Sequence, residues 1–105
     1  MADTEEVRAR GLMGRDHLAE DAGMVFLWPD DTDSAFHMRE TLIPLTVAFF
    51  AADGRILRVL EMVPCAADPC PRYDPGTRYR GALEVKAGAL DRAGVRVGDR
   101  VRIDR

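Results

Sequence analysis

The segment that most constrains the fold runs from Leu42 to Met62, with the sequence LIPLTVAFFAADGRILRVLEM. Two apolar runs rich in strand-forming residues flank an Asp53-Gly54 pair, a dipeptide typical of tight hairpin turns. Because both central positions of a type I′ turn need positive φ, we expect Asp53 and Gly54 to form a two-residue loop. The segment is therefore predicted to be a β-hairpin.

A two-residue loop also fixes which residues of the hairpin lie opposite each other. It places Thr46 opposite Glu61 and Phe50 opposite Leu57, whereas a longer loop would shift this register. Both faces of the hairpin are mostly apolar, with Arg58 and Glu61 as the exceptions. Strands that are apolar on both faces usually lie between two layers of structure. The hairpin is therefore predicted to form the core.

Other segments show weaker patterns, and most of them again indicate strands. In chain order we expect a short helix over 4–13, a buried strand over Met24–Trp28 that Pro29 ends, a loop over Pro64–Gly76 and a strand over Thr77–Val85. A short helical turn over Ala87–Ala93 should follow, and then a half-buried last strand from Val95 to Ile103 that a turn or bulge at Gly98-Asp99 interrupts. A chain of 105 residues has room for one domain. The prediction is a small, mainly β, single-domain protein.

Charge and hydropathy narrow the classes of partner. The net charge of −3 argues against nucleic-acid binding, which needs a basic surface. No apolar run approaches the roughly 20 residues of a membrane span, and no secretory leader begins the chain. We therefore expect no membrane span. The compartment stays open: cytoplasmic as the chain stands, exported if a leader has been removed.

Cys65 and Cys70 lie in the proline-rich 64–76 loop and leave several chemistries open. A disulfide, two free structural thiols, a metal site completed by His17 and His37, or a catalytic thiolate would each fit the residue types. Two isolated cysteines rarely define a site, so the disulfide is favoured if the protein meets an oxidising compartment. We expect neither a metal nor a cofactor.

Candidate binding residues fall on the segments that precede and follow the hairpin. His37 is the titratable residue best suited to acid–base chemistry, and alternation along a strand would put Arg39 and Thr41 on its face. In the long loop, Arg72 and Tyr73 combine side chains that bind carboxylates, phosphates or sugar hydroxyls. These residues together predict a polar recognition surface.

Glu61 is a further candidate because glutamate is disfavoured in strands. Glu84 lies in a second predicted strand, and the two would form a carboxylate pair if they approached each other. Edge positions or pairing with arginine are the simpler explanation. The sequence alone does not choose between these interpretations.

Five stretches read together resemble one known family. They are RARGLMGR (8–15), GMVF (23–26), TLIPLTVAFFAADGRI (41–56), MVPC with CPRY (62–73) and LEVKAG with GVRVGDRV (83–101). This pattern is similar to that of the domain of unknown function 192 family. The resemblance implies a β-sandwich or jelly-roll-like barrel with a short N-terminal helix. Many members of that family carry an export or lipoprotein leader, and no reaction is established for them.

The chain departs from that family pattern at three places. The family usually has a strand ahead of its first helix, so we expect residues 1–105 to be a single domain that lacks this strand. Where the family tends to show tryptophan, lysine and asparagine, this chain has His37, Arg39 and Glu40. Where the family usually has an aspartate after IPL, this chain has Thr46. A site at those positions would therefore have altered chemistry here.

These observations favour a non-catalytic ligand-binding or accessory module. Its expected surface combines His37, Arg39 and Thr41 with the 64–76 loop, and its partner would be a small ligand or a protein. We expect a monomer or weak homo-oligomer. The alternative is a small hydrolase or thiol-dependent enzyme using His37 and Cys65 or Cys70, and a third hypothesis makes the loop a purely structural clamp.

Overall fold

The computed structural model of the protein describes residues 23–38, 40–66 and 69–102. In chain order the elements are β1 (Gly23–Thr32), β2 (Phe36–His37), β3 (Leu45–Phe50), β4 (Ile56–Met62), β5 (Arg72–Tyr73), β6 (Tyr79–Lys86) and α1 (Ala89–Arg92). The described part of the chain is mainly β with one small helix, which confirms the predicted mainly β class. The helix predicted over 4–13 lies outside the described residues.

The described strands form two antiparallel sheets. A four-stranded sheet has the order β1-β6-β3-β4, and β2 pairs with β5 in a two-stranded ribbon. β3 and β6 are therefore the central strands, and β1 and β4 are the edges. Because these strands close no barrel, the sandwich or jelly-roll-like barrel stays a prediction.

The hairpin of β3 and β4 keeps the predicted register through most of its length. All six residues of β3 are buried, and the pairs from Leu45–Met62 to Phe49–Arg58 are those expected from the sequence. Phe49 is fully buried and Phe50 is 3% exposed. The prediction that the hairpin forms the core is therefore confirmed for β3, whereas β4 is an edge strand in which only Ile56 and Met62 are buried.

The hairpin loop is one residue longer than predicted. The Gly54 amide donates to the Ala51 carbonyl (2.8 Å), and the Ala51 amide donates to the Arg55 carbonyl (2.9 Å). Gly54 has a φ of 88°, whereas Asp53 does not adopt positive φ, so the type I′ prediction is wrong. A β-bulge next to Phe50 absorbs the extra residue, because Phe50 lies opposite Ile56 instead of Leu57.

Two apolar clusters occupy opposite faces of the sheet. The first contains Phe26, Met38, Leu45, Val47, Phe49, Met62, Tyr79 and Ala82, and the second contains Ala48, Ile56, Val85, Ala89 and Leu90. Alternating residues of β3 contribute to both clusters, since successive side chains of a strand point to opposite faces. The sheet is thus covered on both sides.

Strand β1 continues past Pro29 to Thr32, so the predicted end at Pro29 is wrong. β1 is an edge strand, where a missing amide hydrogen is tolerated. The ladder with β6 is also irregular between Leu27 and Thr32, which brackets the proline. An edge position combined with a bulge explains how the strand accommodates Pro29.

The half-buried last strand predicted from Val95 is not present in residues 95–102. Gly94 and Gly98 both have positive φ and interrupt an extended chain, while the short helix before them confirms the predicted helical turn. The segment instead lies against the hairpin. The Val101 amide donates to the Gly54 carbonyl (2.7 Å), and the Ile56 amide donates to the Asp99 carbonyl (2.7 Å).

Among the described residues, no helix is long and apolar enough to cross a membrane.

Candidate functional site

The two-stranded ribbon of β2 and β5 unites several of the predicted site residues. His37 lies directly opposite Arg72, and Phe36 lies opposite Tyr73. Residues directly opposite in an antiparallel pair share one face, so the His37 and Arg72 side chains are neighbours. Both residues are exposed. The ribbon therefore presents a polar surface built from distant parts of the sequence.

The ribbon is anchored on the first apolar cluster by its other residue pair. The Phe36 ring packs edge-on against Phe26 and Phe49, with centroid distances of 5.1 and 5.4 Å. The Tyr73 hydroxyl accepts a hydrogen bond from the Val63 amide at 3.1 Å. One face of the ribbon is therefore fixed, while the face carrying His37 and Arg72 stays accessible.

A disulfide joins Cys65 to Cys70, with the two Cα atoms 5.9 Å apart. The backbone of Cys65 is also paired: its carbonyl accepts from the Glu40 amide at 3.0 Å, and it forms a bridge with Thr41. Both cysteines of the chain are used, so no free thiol is present. The favoured interpretation of the cysteines is the one that the structure adopts.

Removing this cross-link should lower stability modestly. The Cys65→Ser/Cys70→Ser double variant is expected to lose about 2 kcal/mol of unfolding free energy, because only a short loop is closed. Urea denaturation with and without dithiothreitol checks this. The reductant should destabilise the natural sequence and leave the double variant unchanged; equal stability of the two proteins without reductant would contradict the prediction.

The structure does not put Thr41 on the surface with His37. Thr41 is only 4% exposed, so its predicted place on a common polar face is wrong. Glu40 has a φ of 56°, and the Thr41 amide turns back to donate to the Met38 carbonyl (3.0 Å). This turn breaks the strand alternation on which the prediction depended. Arg39 lies outside the described residues.

Glu61 belongs to a different part of the molecule. The Thr46 hydroxyl donates to the Glu61 carboxylate at 2.7 Å and accepts from the Gly88 amide at 2.9 Å. A threonine hydroxyl can donate and accept at once, which joins β4, β3 and the turn after β6. The family resemblance implies an aspartate at this position. The two hydrogen bonds of the Thr46 hydroxyl give the threonine a structural role there.

The carboxylate pair considered for Glu61 and Glu84 does not form. Glu61 lies opposite Thr46, and Glu84 lies opposite Val47, the next residue of β3. Adjacent strand residues point to opposite faces, so the two carboxylates lie on opposite sides of the sheet.

Glu84 is the most unusual titratable residue of the described part of the chain. It is 4% exposed on a central strand, between Met24 of β1 and Val47 of β3. None of the described residues forms a hydrogen bond or ion pair with its carboxyl group. Burial raises the pKa of Glu84 to about 7. The sequence signal for this buried carboxyl group is a glutamate inside the apolar run ALEV.

A cleft of about 410 Å³ lies beside the hairpin loop. It is lined by Leu27, Trp28, Phe50, Ala52, Asp53, Gly54, Arg80, Val101 and Arg102. None of the predicted binding residues that the structure describes lines it. These residues come from four separate segments, so no local motif could have identified the cleft from the sequence.

The polar groups around this cleft are held by ion pairs and backbone contacts. Arg80 Nε donates to the Asp31 carboxylate at 3.0 Å, and Arg78 donates to the Asp31 carbonyl at 2.7 Å. Asp53 accepts from the Arg55 amide at 3.0 Å and lies 3.8 Å from the Arg100 guanidinium. The orientation of Arg80 is thus set by β1.

Comparisons with solved structures agree with this architecture. A crystal structure of a protein from Sinorhizobium meliloti 1021, described as a candidate transcription regulator, is 33% identical, has a TM-score of 0.87, and covers 94% of this chain and 75% of its own. A protein of unknown function from Novosphingobium aromaticivorans DSM 12444 is 31% identical, has a TM-score of 0.89, and covers 97% of this chain and 71% of its own. No curated protein matches the chain.

The family comparison covers almost the whole sequence. The profile of domain of unknown function 192, described as an uncharacterised ACR, matches residues 1–103. This confirms the family resemblance carried by the sequence motifs. The chain belongs to the domain of unknown function 192 family.

Proposed function

We propose that the protein is a non-catalytic binding module whose recognition surface is the ribbon of β2 and β5 together with the adjoining Cys65–Cys70 disulfide. The observation that carries this proposal is the exposed pair of His37 and Arg72 on a ribbon fixed by aromatic packing and flanked by a disulfide. A rigid support lowers the ordering cost of binding. The surface is therefore suited to recognition.

Apolar side chains extend this surface. Leu42 is 52% exposed and Val63 is 58% exposed. The Val63 backbone amide donates a hydrogen bond to the Tyr73 hydroxyl. Leu42 follows Thr41, whose backbone is bridged to Cys65. Exposed large apolar residues that adjoin a polar rim are typical of protein-interaction sites. This supports a polypeptide partner over a small polar ligand.

The charge on the ribbon indicates what such a partner carries. In the described part of the chain, the Arg72 side chain takes part in no ion pair or hydrogen bond. A guanidinium binds a carboxylate through two parallel hydrogen bonds. The partner we propose is therefore a peptide segment with aspartate or glutamate next to an apolar side chain.

The enzyme alternative has less support. Both cysteines are joined in the disulfide, so neither supplies a thiolate in this state. His37 is exposed and lies on a strand opposite an arginine. A hydrolase using His37 and Cys65 or Cys70 would need the disulfide reduced first.

Selection from a displayed library of random 12-residue peptides tests the proposal. Peptides retained by the natural sequence should share an acidic residue beside an apolar one. Arg72→Gln should weaken binding of those peptides about tenfold, the value of one charge-assisted hydrogen bond. The matched control is Arg58→Gln, because Arg58 is exposed on β4 and donates to the adjacent Leu57 carbonyl at 2.7 Å.

Two outcomes would overturn the proposed surface. One is a selection that yields no acidic consensus. The other is equal loss of affinity in Arg72→Gln and Arg58→Gln, which would show only a general effect of positive charge.

A further inference from the structure

We propose a second binding site, in the cleft beside the hairpin loop, for a small organic carboxylate with an apolar body. The juxtaposition that carries it is a buried apolar lining of Leu27 and Phe50 next to the oriented guanidinium of Arg80. This site is separate from the ribbon surface, because the two share no residue. Either proposal can therefore fail without the other.

The size and the apolar lining of the cleft fit a small molecule. Its volume of about 410 Å³ lies within the usual range of small-molecule sites. Leu27 and Phe50 line it and are almost fully buried, at 8% and 3% exposure, and Trp28 and Val101 are half-buried. An aliphatic or aromatic group placed there would be removed from water on several sides.

The Arg80 guanidinium determines which head group the ligand should carry. Arg80 is oriented through its Nε by Asp31, and its two terminal nitrogens have no partner among the described residues. Arg102 also lines the cleft. A fixed guanidinium fork with free terminal nitrogens matches a carboxylate.

The acidic lining residue does not reverse this preference. One oxygen of Asp53 accepts the Arg55 amide at 3.0 Å, and the other lies 3.8 Å from Arg100. The charge of Asp53 is therefore partly balanced outside the cleft. The terminal nitrogens of Arg80 are left to set the sign of the ligand charge.

Trp28 provides a local probe, since it is the only tryptophan of the chain and it lines the cleft. Octanoate, octanol and octylammonium share one apolar body and differ in head-group charge. Trp28 fluorescence should respond saturably to octanoate at sub-millimolar to millimolar concentrations. Octanol should bind about tenfold more weakly and octylammonium more weakly still, and phosphate alone should leave the signal unchanged.

Variants locate the site, with isothermal titration calorimetry as a readout independent of the tryptophan. Arg80→Gln should weaken octanoate binding about tenfold while leaving octanol binding unchanged. Ala52→Leu, at an exposed lining position, should weaken both by filling the cleft. Arg58→Gln, outside the cleft, should change neither. Thermal melting establishes that each variant is folded before titration.

Three results would overturn the proposed site. The first is no saturable octanoate binding by either method. The second is equal affinity for the three head groups, which would reduce the cleft to an apolar surface. The third is unchanged octanoate affinity in folded Arg80→Gln.

Discussion

Replacing Glu84 with glutamine is expected to stabilise the protein by about 3 kcal/mol at pH 8 and to change its stability little at pH 4. Glu84 is 4% exposed, and burial raises its pKa from 4.5 to about 7. At pH 8 the natural protein must therefore hold a charge between the apolar neighbours Met24 and Val47. Glutamine has nearly the same shape and carries no charge at any pH.

The direction of the pH dependence follows from proton binding. Between pH 4.5 and 7 the folded protein keeps the Glu84 proton, while the unfolded chain releases it. Unfolding therefore becomes easier as the pH rises, by about 1.4 kcal/mol for each pH unit in this window. The stabilising contribution is fully present below pH 4.5 and is lost as the pH rises through 7. The nearest charged residue on that face of β6 is the exposed Lys86.

Urea denaturation of both proteins from pH 4 to pH 8.5 measures this difference. At each pH, the unfolding free energy of the natural protein is subtracted from that of the variant. This difference removes the contributions of all other titrating groups. Glu61→Gln is the matched control, because Glu61 is exposed on β4 and its loss should cost about 1 kcal/mol or less. A Glu84→Gln difference that does not change with pH would show that the carboxyl group is solvated in the folded state.

The hairpin shows why strand pairing was more predictable than loop geometry. The apolar pattern on two faces determined the register from Leu45–Met62 to Phe49–Arg58, because a slip by one residue would expose the core side chains. The loop prediction depended only on the Asp53-Gly54 dipeptide, which suits both two-residue and three-residue loops. The bulge near Phe50 lets the predicted strand register coexist with a three-residue loop. A bulge leaves no distinct signal in a single sequence.

The candidate site was predictable where local residue chemistry sufficed. The side-chain chemistry of His37 and Arg72 is enough to predict both as site residues, and the structure pairs them across the ribbon. Thr41 was misplaced because the prediction assumed regular alternation, whereas Glu40 adopts positive φ. The isolation of Glu84 on a buried strand depends on tertiary packing. The cleft depends on β1, the hairpin, β6 and the C-terminal segment meeting, which no spacing along the chain reveals.

Replacing Gly54 with alanine is expected to destabilise the protein by about 4 kcal/mol. Gly54 has a φ of 88°, a conformation that costs an alanine about 1–2 kcal/mol. An added Cβ atom would lie 2.1 Å from the Val101 carbonyl oxygen, a backbone atom that cannot rotate away. The C-terminal segment would have to move, which would break its hydrogen bonds to Gly54 and Ile56 at about 1 kcal/mol each.

Gly98→Ala separates the two causes of that loss. Gly98 has a φ of 97°, but an added Cβ atom there meets nothing within 4 Å, so only the conformational cost of about 1–2 kcal/mol is expected. Denaturant unfolding gives both free energies, and hydrogen exchange at the Ile56 and Val101 amides reports whether the segment has detached. Protection of these amides should fall in Gly54→Ala and persist in Gly98→Ala. The prediction would be contradicted if Gly54→Ala and Gly98→Ala lost the same stability and the Ile56 and Val101 amides stayed protected in both. Residues 98–102 would then pack against the hairpin without needing a glycine at position 54.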